Sequence, residues 1–381
     1  MKNKIKFLNL ILFILIFFVL LIIFGKILIP KKSSDIYYKN EVYYRDYDLD
    51  YIAAGCSEMN RGISPMFIWN DTGYTGYNIG ASAERIYTTY YSLKSILKYQ
   101  NPKYVFLSSE IIHMKYPLNK HLQRENWERK PINEVNFEML EDKIYNFDTY
   151  DYIHSVFPIF AYHQEWKHLK KIPVNHETRG HYVKAKSKVK KQPSDKNAKK
   201  YFKKTDKIKK INNTNIEYLL KINKMLKEKN IKFVIVGMPN FQTYSYAVHN
   251  AIKEISEKND ITFLDFNEYM GKYNIDYRMD FEDKTHLNGL GAKKLSSFIS
   301  DYLKSQGDLK DKRKDENFQN WNKDYKTYIK YYKKVTKDIK RNKKTQEVNV
   351  EKLMDIIEEK KEKLEKKKIK NKIGRKIEKV F

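Results

Sequence analysis

A chain of 381 residues with a formal charge of +28 has room for one large domain or two ordinary ones, so a sizeable core can form. Its single cysteine, Cys56, excludes an internal disulfide framework and any cysteine-based zinc site. No zinc-finger or ribonucleoprotein pattern accompanies the basic charge, so nucleic-acid binding is the weakest of the functions that the charge permits.

The first element is an apolar run from Phe7 to Phe24, interrupted only by Asn9. Helical residues rise about 1.5 Å each, so this run and the apolar residues after Lys26 are long enough to cross a bilayer. No small-x-small cleavage site follows before Pro30, which favours a retained single-pass anchor over a cleaved signal peptide. Three lysines precede the run and three follow it, so the flanking charges do not decide its orientation.

Short apolar strands then alternate with helical periodicity. The predicted strands are 51–54, 77–80, 104–107, 233–236 and 261–264. The predicted helices include 82–99, one that starts near 213, and one from 289 to 303. This alternation predicts an α/β fold with a parallel sheet covered on both faces. Ligand sites in such sheets lie beyond the carboxyl ends of the strands.

Composition divides the chain into five predicted segments. They are a membrane anchor (1–32), the two halves of an α/β domain (33–115 and 211–304), an insertion (116–210) and a Lys/Glu-rich helical tail (305–381).

Two basic stretches hold nearly all of the excess charge. Residues 167–210 carry 17 Lys and Arg against 3 acidic residues, and residues 308–381 carry 26 against 14. Such stretches attract anionic lipid or an anionic cell-wall polymer, or they form a solvated surface only, and both interpretations stay open. We expect 184–210 to be mobile.

Two short segments carry residues suited to nucleophilic catalysis. Gly55-Cys56-Ser57-Glu58 follows the first strand, and Asp283-Lys284-Thr285-His286 precedes the last helix. A serine hydroxyl needs a base such as histidine, and that histidine needs an acceptor for its other ring nitrogen. Each segment has an ordinary structural explanation too, as a turn or as a helix cap. Because both lie at strand ends, they can converge on one edge of the sheet.

The order and context of these segments resemble those of SGNH (GDSL-type) hydrolases, over 48–115 and 213–304. The stretch from Asp283 to Gly291 is the most specific part. The resemblance implies a flavodoxin-like three-layer αβα sandwich in which Ser57 is the nucleophile, His286 the base and Asp283 the orienting carboxylate. The histidines show no recognised metal spacing, and neither a metal nor a cofactor is expected.

The resemblance also implies an oxyanion hole formed by the serine N–H, a glycine and an asparagine. Gly80 matches the glycine position. The sequence departs from the family pattern in having Gly-Cys-Ser for Gly-Asp-Ser, and Ser108-Ser109-Glu110 lacks the asparagine. Asn78 or Asn240 is a candidate for the third donor, which is otherwise absent.

Arg61 has two possible roles, holding a substrate carboxylate or phosphate, or forming a structural salt bridge. Together with Pro65, it extends the resemblance to membrane-anchored SGNH-like proteins that partner multi-spanning acyl-transferring proteins. These act in polysaccharide O-acetylation and D-alanyl-lipoteichoic acid transfer. The resemblance implies an extracytoplasmic serine esterase or acyltransferase acting on a cell-envelope polymer. The alternative is a non-catalytic scaffold of the same fold that binds anionic polymer or lipid and the acyltransferase partner.

Overall fold

The computed structural model describes residues 2–28, 42, 47–114, 127, 133–168, 192–344 and 358. All of 169–191, which includes the first part of the stretch 184–210 that is expected to be mobile, and all of the tail beyond 344 except residue 358 lie outside the described residues. The division of the chain into five segments stays a prediction.

A five-stranded parallel sheet forms the centre of the protein. Its strands are β1 (Tyr51–Ala54), β2 (Gly76–Asn78), β3 (Tyr104–Ser108), β4 (Lys232–Gly237) and β5 (Thr262–Asp265). The strand order is β2-β1-β3-β4-β5, which is the flavodoxin-like order. The predicted α/β fold is confirmed, with strand ends within about two residues of those expected. Strands β1 to β4 are almost continuously buried because helices cover both faces, whereas the edge strand β5 is partly exposed.

Helices connect the strands and flank the sheet. In chain order they are α1 (Lys2–Leu28), α2 (Ser57–Gly62), α3 (Pro65–Thr72), α4 (Ile86–Ile96), α5 (Glu110–His113), α6 (Glu134–Glu141), α7 (Thr149–Val156), α8 (Pro158–Tyr162), α9 (Asp195–Lys200), α10 (Asn213–Glu228), α11 (Tyr246–Lys258), α12 (Gly289–Gln306) and α13 (319–344). Short 3-10 turns occur at Lys143–Tyr145, His163–His168, Phe266–Glu268 and Glu316–Phe318.

Alternating side chains divide the core into two layers. Along β1, Ile52 and Ala54 belong to one core cluster, which includes residues of α4, α10 and α11. Tyr51 and Ala53 belong to the other, which includes residues of α2 and α12. Successive side chains of a strand point to opposite faces, so one short strand contributes to both layers. The result is the three-layer arrangement predicted from sequence.

Helix α13 packs on the domain, although it falls in the segment predicted as a tail. A stripe at heptad-like spacing is buried in the core cluster that contains Ile52 and Ala54, which we call the main core. Its residues are Trp321, Tyr328, Tyr332, Val335 and Ile339. The rings of Trp321 and Trp69 lie 5.3 Å apart, and Ser64 Oγ donates to Tyr328 OH at 2.9 Å. The lysines of the exposed face dominate the composition here, which is why the stripe was not recognised in the sequence.

Residues 192–210 also contact the domain, although they belong to the stretch expected to be mobile. Gln192 Nε2 donates to Phe281 O at 2.9 Å, and the Tyr201 ring stacks on Phe241 with 4.0 Å between ring centroids. The aromatic side chains between the lysines provide the apolar contact surface.

Helix α1 is long and apolar enough to cross a membrane over Asn3–Gly25. None of the most apolar stretch of this helix is buried inside the protein.

Candidate active site

Ser57 lies directly beyond the carboxyl end of β1, at the amino end of α2. The strands that follow β1 in sequence, β2 and β3, lie on opposite sides of it, which makes this end of β1 a topological switch point. Gly55 has a φ of +143°, and a Cβ on it would lie 2.6 Å from Ser108 Cβ. Only glycine permits this turn so close to β3, and the turn projects Ser57 above the edge of the sheet.

Asp283 and His286 belong to a tight turn before α12. The turn is closed by an antiparallel bridge between Phe281 and Leu287 and by a hydrogen bond from Glu282 N to His286 O at 2.8 Å. Asn288 caps α12, accepting from Leu290 N at 2.9 Å. Asp283 is therefore not the cap of that helix, and its carboxylate remains available to the histidine.

The two segments meet in one hydrogen-bonded row. Ser57 Oγ lies 2.8 Å from His286 Nε2, and His286 Nδ1 lies 2.9 Å from Asp283 Oδ1. Thr285 Oγ1 also lies 2.7 Å from Nδ1 and donates to Asp283 Oδ1 at 2.8 Å. With Nδ1–H directed at the carboxylate, Nε2 carries the free lone pair that faces the serine hydroxyl. This is the nucleophile, base and orienting-acid geometry of serine enzymes.

The Asp283 carboxyl is held in its charged form. Burial by itself would raise its pKa, but hydrogen bonds from the His286 ring and from the Thr285 N–H and hydroxyl outweigh this effect. The pKa of Asp283 is therefore well below its ordinary value. The side chains of His286 and Asp283 are 18% and 26% exposed, so the row is open to solvent at the edge of the sheet.

Two of the predicted oxyanion donors are engaged within the protein. The Gly80 N–H donates to Asn78 Oδ1 at 2.9 Å. The Asn78 amide nitrogen donates to Met59 O at 2.8 Å and to Ile63 O at 2.7 Å, which uses both of its protons. In contrast to the expectation, Asn78 ties β2 to α2. By comparison, the Ser57 N–H has no acceptor among the described residues and is free to bind an oxyanion.

Asn240 is likewise directed away from the oxyanion position. Its amide nitrogen donates to Glu58 Oε1 at 2.9 Å and lies 3.4 Å from Glu110 Oε2. Its amide oxygen accepts from the N–H groups of Gln242 and Thr243. Its position between two buried carboxyl groups explains this arrangement, because each carboxyl needs a donor once it is removed from water.

A buried polar cluster beside the nucleophile was not predicted from sequence. Cys56 Sγ–H donates to Glu58 Oε2 at 2.5 Å, and His113 Nε2 lies 3.1 Å from Glu110 Oε2. Burial and the nearby Glu110 raise the pKa of Glu58. Burial would also raise the pKa of Glu110, but hydrogen bonding to His113 lowers it below the ordinary value. Of the two carboxyl groups, Glu58 is therefore the more easily protonated.

The sequence did contain a signal for this cluster. Glu58 follows the nucleophile directly, and Glu110 follows the end of β3 by two residues, so both are at the active edge of the sheet. Cys56 itself is fully buried, and burial together with Glu58 raises its thiol pKa.

Arg61 forms a salt bridge in the structure. Its Nη1 donates to Glu282 Oε2 at 2.8 Å, and the Glu282 side chain is only 2% exposed. Glu282 precedes Asp283, so the ion pair ties α2, which begins at Ser57, to the turn that carries the other two members of the row. Of the two roles predicted for Arg61, the structure shows the structural salt bridge.

The described residues include no group of three or more His, Cys, Asp or Glu side chains placed to hold a metal ion. No family model matches the chain, and no curated protein matches it. Among solved structures, a protein described as "BT4096 a gut microbial diltiazem-metabolizing enzyme" is similar, with a TM-score of 0.34 and 14% sequence identity. The match covers 68% of this chain and 47% of that one, so it spans about half the length of the neighbour. No family is assigned by these comparisons.

Proposed function

We propose that this chain is a membrane-anchored serine esterase or acyltransferase of the SGNH type. The observation that supports this most directly is the hydrogen-bonded row from Ser57 Oγ through His286 to Asp283. The flavodoxin-like strand order and the position of Ser57 at the switch point agree with it.

The row supports acyl transfer in two steps. Ser57 Oγ attacks an acyl carbonyl carbon while His286 Nε2 takes the hydroxyl proton, and Asp283 stabilises the imidazolium that forms. His286 then gives the proton to the leaving oxygen, which departs as the acyl group stays on Ser57. A second hydroxyl, from a polymer or from water, loses its proton to Nε2 and attacks the acyl group. The bond between Ser57 Oγ and the acyl carbon then breaks, and Nε2 returns the proton to Oγ. The Ser57 N–H is the available donor for the oxyanion, and one such donor contributes about 3 kcal/mol.

The proposed substrate is a cell-envelope polymer, and the proposed location of the domain is outside the cell membrane. Support comes from the single apolar helix α1, from the two basic stretches, which suit an anionic polymer, and from the sequence resemblance to the acyl-transfer subgroup. A multi-spanning membrane acyltransferase is the proposed partner and acyl donor.

The test is labelling of the full chain, in detergent, with a fluorophosphonate probe. Such probes react with a serine only when a base activates it, so the wild-type chain should label and Ser57→Ala should not. Ser305→Ala is the matched control, because this exposed serine at the end of α12 lies outside the row, and it should label like wild type. Equal labelling of wild type and Ser57→Ala would contradict the proposal.

A specific observation favours the second candidate, a non-catalytic scaffold. The Gly80 N–H and the Asn78 and Asn240 amides are all engaged inside the protein, which leaves the Ser57 N–H as the one free donor among the four. Cells that carry Ser57→Ala distinguish the candidates. Loss of polymer acylation supports the enzyme, whereas full acylation together with a requirement for the chain itself supports the scaffold.

A further inference from the structure

We infer that residues 149–168, comprising α7, α8 and the following 3-10 turn, form a membrane-interfacial element that lies in the lipid head-group region around the end of α1. This inference rests on the proposed membrane crossing of α1 and goes beyond it. We refer to residues 149–168 as the interfacial segment.

The surface of α7 is inverted relative to that of an ordinary soluble helix. Its polar residues Asp151 and Ser155 are buried, and Asp151 is held in a capping box with Asp148. Its aromatic and aliphatic residues point outward, with Tyr150 63% exposed and Ile153 41% exposed. Water favours the opposite arrangement, and an apolar environment on the outer side accounts for this one.

Charge is nearly absent from residues 149–162, the part of the interfacial segment formed by α7 and α8. In a protein in which 32% of residues are charged, 149–162 contains only Asp151 among Asp, Glu, Lys and Arg. The exposed apolar surface continues through Phe160 of α8, which is 50% exposed, to Trp166 of the following 3-10 turn, which is 63% exposed. Lys167 Nζ lies 5.8 Å from the centroid of the Trp166 ring. Tryptophan and tyrosine with a neighbouring lysine are typical of the membrane–water interface.

Contacts with α1 set the depth of the interfacial segment. The Phe157 ring lies 5.7 Å from that of Phe18, and a Cβ on Gly25 would lie 2.8 Å from Ile159 N. Phe18 and Gly25 are seven residues apart, which is about 10 Å along a helix. If α1 crosses a bilayer with Gly25 at its end, the interfacial segment reaches about 10 Å inward from the boundary, as interfacial helices do.

Lipid is the occupant that this geometry favours over a protein partner. The apolar stripe of the interfacial segment is continuous with the surface of α1, whose most apolar stretch has no buried residue. Lipid surrounds a single spanning helix on every open side, so whatever packs on its last turns is at lipid depth. Val156 packs against the main core, so the segment also holds the domain to the bilayer at a second point.

Trp166 provides a direct test, because the other three tryptophans, Trp69, Trp127 and Trp321, are buried. The full chain is reconstituted, without other proteins, in phosphatidylcholine vesicles whose acyl chains carry bromine. The emission that Trp166→Phe removes is the emission of Trp166. Bromine near the head-group end should quench most of it, bromine near the chain end should quench less, and aqueous iodide should have little effect.

Tyr269→Trp in the Trp166→Phe background is the matched control. Tyr269 is 42% exposed, and its ring packs on Phe298 of α12 and not on an aromatic ring of the interfacial segment. The indole introduced there should be quenched by iodide and not by brominated lipid. Replacing Tyr150, Ile153 and Phe160 with serine should reverse the pattern for Trp166, raising its iodide quenching and lowering its lipid quenching.

Three results would overturn the interfacial placement. They are quenching of Trp166 by iodide and not by brominated lipid, the same quenching pattern for the Tyr269→Trp control as for Trp166, and a serine variant that leaves Trp166 unchanged. Extraction with alkaline carbonate separates this failure from that of the proposed anchor. A chain that resists extraction with an iodide-accessible Trp166 has an anchor and no interfacial segment. A chain that is extracted has neither.

Discussion

Ser57 and His286 are separated by 229 residues, yet the serine Oγ and the histidine Nε2 lie 2.8 Å apart. The first follows β1 and the second precedes α12, so the contact depends on the whole parallel sheet between them. Asp283 completes the row from within the same turn as the histidine.

Ser57→Ala and His286→Ala should each lower acyl transfer by about 10⁴-fold or more, because the two groups act as one unit. The double variant should therefore be only slightly slower than either single variant. Single-turnover rates of the three variants check this. If the rate loss of the double variant equalled the product of the two single-variant losses, a shared proton-transfer step would be contradicted.

Asp283→Asn should lower the acyl-transfer rate by about 10⁴-fold while keeping the turn, because an amide no longer fixes the productive histidine tautomer.

The lowered pKa of Asp283 also predicts how the stability of the fold depends on pH. The ionised carboxylate should stabilise the fold above the ordinary Asp pKa, and this contribution should disappear as pH falls through the folded-state pKa. Denaturant unfolding of wild type and Asp283→Asn at several pH values should show their difference shrinking in acid. A difference that grows in acid would contradict the assignment.

Glu58→Gln should flatten the pH dependence of stability above the ordinary Glu pKa. Burial and Glu110 raise the pKa of Glu58, so over an interval the folded chain keeps a proton that the unfolded chain has lost. Stability should therefore fall as pH rises through that interval, and glutamine, which does not titrate, should remove this slope. Denaturant unfolding across that interval measures the slope. Glu257→Gln, at a 68% exposed position on α11, is the control and should leave the slope as in wild type.

Arg61→Ala should destabilise the domain by about 2–4 kcal/mol, because it removes the guanidinium that pairs with the buried Glu282 carboxylate at 2.8 Å. The double variant Arg61→Ala with Glu282→Gln should recover part of that loss, since burying a neutral amide costs less than burying a carboxylate. Urea unfolding measures both. If the arginine also held a substrate anion, the double variant would regain stability and still show a raised KM.

Residues from 33 onward should be digested when protease is added to intact protoplasts, if α1 crosses the membrane once with its amino terminus inside. The flanking lysines do not decide the orientation, so this measurement does. Fragments are followed with antibodies to each end of the chain, and a cytoplasmic protein serves as the control for lysis. Complete protection until lysis would reverse the proposed topology.

Local patterns in the sequence were sufficient for the elements and for half of the candidate site. Strands buried on both faces are apolar runs, and the Asp283–His286 contact spans three residues of one turn, so both can be recognised without the fold. The apolar run of α1 is local in the same sense. Such features depend on the nearest neighbours along the chain, which a sequence displays directly.

Contacts between distant segments were decided by the tertiary structure alone. Asn78 and Asn240 look alike as candidate donors in sequence, but in the fold one bonds to backbone carbonyls of α2 and its C-cap and the other to two buried carboxyl groups. Helix α13 joins the core through a stripe that its lysines conceal. A polar side chain directs its hydrogen bonds to whatever partners burial leaves nearest to it, and those partners come from strands and helices far apart in the chain.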